Sequence, residues 1–237
     1  MDAATEARSL SWYHTLELPG HTTTGTFDLR PFVGAYGLPE DLTGQRVLEV
    51  GTWDGFWAFE FERRGAAEVI ALDLDDEREL DWPPRRRPTS WPEHPRGRGF
   101  AVAKELLGSQ VQRVVRSVYH ATPEDLGEFD LVFCGSVLIH LRDQLLALER
   151  MANLTKAGGR FIGAEEYARG LMAALPFAAS RYHADRDAAV VFWLPNRRAW
   201  RRMLWTAGFD RVEEHGRFDM KSNEGYSVPH VVLHGFK

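Results

Sequence analysis

From Gln45 onward, short apolar runs of strand length alternate with stretches in helical spacing. The runs at 47–50 (VLEV), 68–73 (EVIALD), 111–115, 128–134 (EFDLVFC) and 160–164 (RFIGA) predict five strands, and two more are expected near 210–216 and 226–235. Between the first two, 56–64 sets Phe56, Phe59 and Glu60 at helical spacing, with Gly65 as the stop. Further helices are predicted over 100–107 and over 141–154, where apolar residues fall at 141, 145, 148 and 151. Asn196 is the expected cap of a helix over 197–207. Such alternation builds an α/β fold: a doubly wound, seven-stranded, mostly parallel sheet with helices on both faces.

Three stretches fall outside this rhythm. Residues 1–42 hold no clean period and read as an arm or cap on a main domain spanning 43–237. Residues 75–98 carry five prolines, two tryptophans and many charges, which no regular element tolerates, so a long loop is expected. Residues 166–195 interrupt the alternation and end at Pro195. The last two segments are read as lids.

Composition narrows the picture by exclusion. At 237 residues the chain suits one large domain with a substantial core. A net charge of -5 offers no basic field for nucleic acid or an anionic membrane, so a nucleic-acid partner is disfavoured and no membrane partner is expected. Cys134 is the sole cysteine, which leaves neither an internal disulfide nor a cysteine-based zinc cluster. The histidines show no H-x-x-x-H pair with an acidic neighbour, so no metal is expected. No basic-then-apolar leader opens the chain and no run approaches the ~18 apolar residues of a membrane span, so the expected location is the cytoplasm. Oligomeric state leaves no signature.

The candidate chemistry gathers where the predicted strands end. Gly51 stands where the backbone leaves the first strand and must turn without a side chain, and Gly55 opens the following helix. Gly51-Thr52-Trp53-Asp54-Gly55 lacks the third glycine of a pyrophosphate-binding turn, and Trp53 and Phe56 add bulk there. S-adenosylmethionine (SAM) carries no phosphate and tolerates that bulk. Asp73, followed by Leu74 at the end of the second strand, is placed to accept both ribose hydroxyls. Glu49, inside the first strand, would be costly unpaired and suits the cofactor's ammonium group. Ser117, Val118 and Tyr119 follow the third strand, where an adenine edge and face would lie, and Gly135 and Ser136 follow the fourth.

Two histidines are candidate general bases. His140 lies beyond the fourth strand, at the ligand-binding edge, and is preferred; His14, in the Trp12-Tyr13-His14 cluster, is the second. An arm folded over the site would bring Trp12 and Tyr13 to the acceptor as aromatic walls. Glu165, Tyr167 and Tyr182 are further candidate acceptor contacts. The arginine clusters at 85–87 and 197–202 are read as solvated faces.

With these residues named, the chain resembles class I SAM-dependent methyltransferases, and within them the branch grouped with tRNA wobble-uridine (5-hydroxyuridine) methyl- and carboxymethyltransferases. The likeness rests on W-Y-H at 12–14, L-x-G-x-R-V-L-E-V-G-x-W-D-G-F, F-E-x-E-R-R-G-A at 59–66, G-E-F-D-L-V-F-C-G-S-V-L-I-H and F-W-L-P-N-R at 192–197. It implies a Rossmann-like fold with SAM as cofactor. Residues 51–55 would surround the methionine end, Asp73 the ribose, and Ser117, Val118 and Tyr119 the adenine. Ile139 stands where the branch often has Tyr, and this chain is shorter and more acidic than the tRNA enzymes. The expected function is therefore methylation of a small molecule, at oxygen, in a specialised biosynthetic pathway, with a histidine base. A tRNA methyltransferase, a non-catalytic SAM-binding module and an NAD-dependent dehydrogenase are the alternatives.

Overall fold

A computed structural model describes residues 2–186 and 190–237. Five strands come first: β1 (Arg46–Val50), β2 (Glu68–Asp73), β3 (Gln112–Val115), β4 (Phe129–Gly135) and β5 (Thr155–Glu166). A closing hairpin adds β6 (Arg211–Lys221) and β7 (Ser227–Phe236). Across the sheet the order is β3-β2-β1-β4-β5-β7-β6, with β7 alone reversed. The chain leaves β1 toward β2 on one side and returns to β4 on the other, which opens a crevice at the carboxyl ends of β1 and β4.

Alternation along the buried strands divides the core into two layers. Val47, Val69, Ala71, Leu131 and Phe133 pack on one face with α1 (Ala3–Ser9), α2 (Phe56–Arg63) and α3 (Arg98–Leu107). Leu48, Ile70, Leu72, Val132 and Cys134 pack on the other with α4 (Gln144–Leu154) and α5 (Arg197–Thr206). Both faces are covered, so the central strands read as continuous apolar runs. The seven-stranded doubly wound sheet is thus the one expected from the sequence.

Local boundaries differ for identifiable reasons. The helix expected from 141 begins at Gln144, because Leu138–His140 forms a 3-10 turn and the Asp143 side chain accepts from Leu146 N–H at 3.0 Å. β5 starts at Thr155 rather than 160, pairing Thr155 with Phe129 and then Arg160 with Leu131. The surplus residues bulge at Gly158, whose φ of +77° suits glycine. β6 runs on to Lys221, because its hairpin partner β7 continues the ladder that far. Asn196 caps α5 as expected, accepting from Ala199 N–H at 2.9 Å.

The irregular segments carry short elements. In 75–98 there are only 3-10 turns, at Glu77–Glu79 and Pro84–Arg86, before α3. Residues 166–195 hold a short helix, Leu171–Ala174, and a hairpin of Ser180–Tyr182 with Trp193–Pro195; residues 187–189 of that expected lid lie outside the described residues. The arm is more ordered than its lack of period suggests. Besides α1 it pairs Trp12–His14 in parallel with Gly25–Phe27 and forms a 3-10 helix over Arg30–Tyr36.

One carboxylate ties this arm to the sheet. Asp54 Oδ2 accepts from the backbone N–H of Tyr13 and of His14, each at 2.9 Å, and Asp54 Oδ1 accepts from His14 Nδ1–H. The His14 and Asp54 side chains are 7% and 2% exposed, so the pair is shielded from water and salt. Asp54→Ala is expected to lower the unfolding free energy by about 3 kcal/mol, since it strands the buried donors. Urea denaturation measures this, and limited proteolysis should then release residues 2–36 first.

Candidate functional site

The turn after β1 is shaped by what would collide with it. A Cβ on Gly51 would stand 2.2 Å from Val137 Cγ2, and its φ of +83° also requires glycine. Gly55 caps the start of α2, as expected, and its missing side chain also makes room for the Phe59 and Phe100 rings, 2.5 and 2.8 Å from where its Cβ would be. Trp53 between them holds a φ of +49°. Its N–H donates to Asp73 Oδ2 at 2.7 Å, while Leu74 N–H donates to Asp73 Oδ1 at 2.7 Å. Asp73 is thereby fixed with lone pairs to spare on both oxygens.

A cavity of about 890 Å³ opens at this edge, large enough for a nucleoside cofactor and a second small molecule. Of the residues predicted from sequence, Tyr13, His14, Glu49, Gly51, Trp53, Asp73, Leu74, Ser117, Tyr119, Gly135, Ser136 and His140 line it. The others do not. Thr52, Asp54 and Gly55 sit behind the turn, and Val118 faces the core. Trp12 anchors the arm, donating Nε1–H to the Ala7 carbonyl at 2.9 Å. Glu165 is buried behind β4, where its Oε1 accepts from the N–H groups of Val137 and Leu138 at 3.1 and 3.0 Å. Tyr167 is a core residue, and Tyr182 is half exposed with its ring against Trp193.

Sequence reasoning missed several lining residues. Arg96, from the proline-rich loop, lays its guanidinium 3.8 Å from the centre of the Trp53 ring, and Tyr13 stacks on Trp53 at 4.5 Å. Phe27, Tyr36, Trp57, Met220, Tyr226 and His230 complete the wall. Arg96 and His230 left no signal, being separated from every motif in sequence. The loop 75–98 crosses over this edge: Tyr119 Oη donates to Asp81 at 2.6 Å and Arg142 N–H donates to the same carboxylate at 2.8 Å.

Burial sets the protonation states. The Glu49 carboxyl is 2% exposed and is pushed up to about 8 by burial; Glu165 is raised to about 7 for the same reason. Among the described residues, the buried Glu49 Oε2 and the nearby Thr52 Oγ1 have no hydrogen-bond partner. His140 is lowered by burial and donates Nδ1–H to the Val190 carbonyl at 2.5 Å. His230 is lowered to about 4, again by burial, with Nδ1–H on the Val228 carbonyl at 3.0 Å.

Residues 27–214 match the family described as Methyltransferase domain. The chain belongs to that family. Its fold is that of class I SAM-dependent methyltransferases. Among curated relatives, a tRNA U34 carboxymethyltransferase from Desulforapulum autotrophicum is 25% identical over 171 residues, 72% of this chain and 46% of that one. A ubiquinone biosynthesis O-methyltransferase from Xanthomonas oryzae pv. oryzae is 31% identical over 124 residues, 51% of this chain and 42% of the relative. The chain thus aligns with less than half the length of these relatives. Among solved structures, the N-terminal domain of EvdMO1, with S-adenosylhomocysteine (SAH) and D-fucose, superposes with a TM-score of 0.63 at 20% identity, covering 100% of this chain and 97% of that one. The Burkholderia thailandensis 1,6-didemethyltoxoflavin-N1-methyltransferase, with its acceptor and SAH, gives 0.57 at 18% identity over 88% and 78%.

The residues of the cavity fit SAM on their own evidence. The unpartnered Glu49 Oε2 is a buried acceptor suited to an ammonium donor, and Asp73 is presented to a diol. Gly51 leaves the space that a side chain would fill. Glu49 also predicts a stability cost. The folded carboxyl keeps its proton to about 8 against 4.5 when unfolded, so the ligand-free chain binds an extra proton in that window and loses stability as pH rises through it. Glu165 adds a slope of the same sign below about 7. Glu49→Gln is therefore expected to melt about 3–6 °C above wild type at pH 8 without ligand, yet to bind SAM at least about tenfold more weakly. Calorimetry with and without SAM tests both; a variant no more stable than wild type refutes the assignment.

Proposed function

We propose that this protein methylates a hydroxyl group of a small molecule, using SAM, and that His14 takes the hydroxyl proton. The observation that carries the reading is His14, backed by the buried Asp54 and lining the same cavity as Asp73 and Gly51. Bound SAM supplies an electrophilic methyl, which bonds to the acceptor oxygen as the S–CH₃ bond breaks and its electron pair returns to sulfur. The chain's own part is to align the partners, exclude water and remove one proton.

Among the described residues, Asp54 backs His14 with a carboxylate and none backs His140 in the same way. With Nδ1–H held by the carboxylate, His14 keeps the tautomer whose Nε2 carries a lone pair, and the negative charge stabilises the imidazolium that forms. His140 has the neutral Val190 carbonyl behind it, and its burial opposes protonation. This reverses the order of preference read from sequence. His140 instead positions the 138–140 turn against the lid, where Phe192 N–H donates to the Ile139 carbonyl at 2.9 Å.

The relatives support the acceptor class at a distance: one is a ubiquinone biosynthesis O-methyltransferase, and two solved neighbours hold small molecules beside SAH. The arm, the 75–98 loop and the 166–195 segment each contribute to the cavity lining, which supports their reading as lids. His14→Asn is expected to lower kcat about 10²–10⁴-fold, and with a phenolic acceptor the residual rate should climb with pH as the acceptor's own anion takes over. His140→Ala should cost less than about tenfold. Equal losses in the two variants would remove His14 from its role. Transfer to tRNA with a steep salt dependence, and none to small hydroxylated molecules, would replace the reading altogether.

A further inference from the structure

Ser136 and His230 form a second polar pair in the cavity, apart from the Asp54–His14 pair. Ser136 Oγ and His230 Nε2 are 2.8 Å apart, and His230 is 1% exposed. The direction of hydrogen bonding along this pair is fixed from its far end. The Val228 carbonyl accepts only, so His230 Nδ1 carries the hydrogen and Nε2 carries a lone pair. Burial keeps the ring neutral and the Phe218 ring stacks on it at 5.4 Å, so neither its charge nor its orientation is free. Ser136 must then donate its hydroxyl hydrogen to His230, which leaves Ser136 Oγ as an acceptor.

The serine is held there against its own preference. Its φ is +57°, uncommon for a non-glycine residue, and its N–H is pinned to the Ala164 carbonyl at 2.8 Å. Glycine would satisfy the backbone better, so the hydroxyl is the reason for a side chain at this point. The same tautomer argument makes His14 Nε2 an acceptor as well. The two acceptors share the cavity with aromatic rings, and its lining arginines stand beside carboxylates: Arg96 over Trp53, 4.0 Å from Asp73 and 3.7 Å from Glu77, and Arg116 on Asp125.

We infer that Ser136, backed by His230, binds a second hydroxyl of the acceptor, so that the substrate is a neutral, ring-bearing molecule with at least two hydroxyl groups. This rests on the methyltransferase reading above. One hydroxyl donates to His14 and is methylated; the other donates to Ser136 and sets the orientation. An aromatic diol and a sugar ring share this chemistry.

The test uses matched pairs of neutral acceptors, catechol against phenol and methyl pyranosides against their monodeoxy derivatives, with SAH release and product mass as readouts. Ser136→Gly removes the hydroxyl while relieving the backbone, so loss of folding does not obscure the result, and Ser136→Ala is the companion variant. The wild type should favour the diol of the active pair at least tenfold in kcat/KM. Either variant should lower kcat/KM at least tenfold for the diol and less than threefold for its deoxy partner. Which pair is active separates arene from sugar. Equal losses on both members, a wild-type preference for the single hydroxyl, or turnover of anionic acceptors alone would overturn the inference. If no neutral acceptor takes the methyl group although SAM binds, the diol class fails and the cofactor site stands. Failure to bind SAM at all would instead overturn the underlying methyltransferase reading.

Discussion

A single carboxylate, Asp54, holds together two parts of the protein that the chain keeps 40 residues apart. It accepts the backbone N–H groups of Tyr13 and His14 and the imidazole of His14, all out of water. An unpaired carboxylate at that depth would be strongly disfavoured, so the arm's docking and the shape of the glycine turn stabilise each other. Tyr13 then lies on Trp53, Arg96 also packs against the indole, and Trp53 N–H fixes Asp73. Remove the carboxylate and both halves of the cavity lose their common reference point.

The sheet was legible from sequence because its central strands are buried on both faces and its helices on one. Those two conditions write runs and periods into the residues. The arm was not, because its elements are too short to repeat a pattern: Trp12–His14 and Gly25–Phe27 are three-residue strands. Part of the cavity lining was readable for a different reason, since Glu49, Gly51 and Trp53 lie close together in sequence and Asp73 closes the next strand. Yet Asp54 and Gly55, chosen for their place in that motif, turned out to face the arm and the core. Proximity in sequence to a ligand site places a backbone, not a side chain. His230 and Arg96 became visible only when β7 and the proline-rich loop were folded against the turns that follow β4 and β1.

The motifs that narrowed the family are mostly structural. Glu60 pairs with Arg63 and Arg64, and Arg64 reaches the Pro39 carbonyl at 2.6 Å, fastening α2 to the end of the arm. Asn196 caps α5 and donates Nδ2–H to the carbonyls of Met172 and Phe177 at 3.1 and 3.0 Å, which fastens the lid. These residues recognise the scaffold rather than a substrate. That is why a good family resemblance says little about the acceptor.

The wall of the cavity has two sources. The cofactor cradle comes from the run between Glu49 and Leu141, whereas much of the opposite wall comes from residues 13–36 and 220–230. Those two outer segments are stitched directly to each other: Phe27 pairs with Ser222, and Asn223 donates to the carbonyls of Gly25 and Thr26. Substitutions at Phe27, Tyr36, Met220 or Tyr226 can therefore reshape the acceptor pocket without moving the cradle, provided the stitch and the Asp54 tie are kept. The architecture separates a wall built on the sheet edge from one built by the outer segments, so the second can vary while the first stays unchanged.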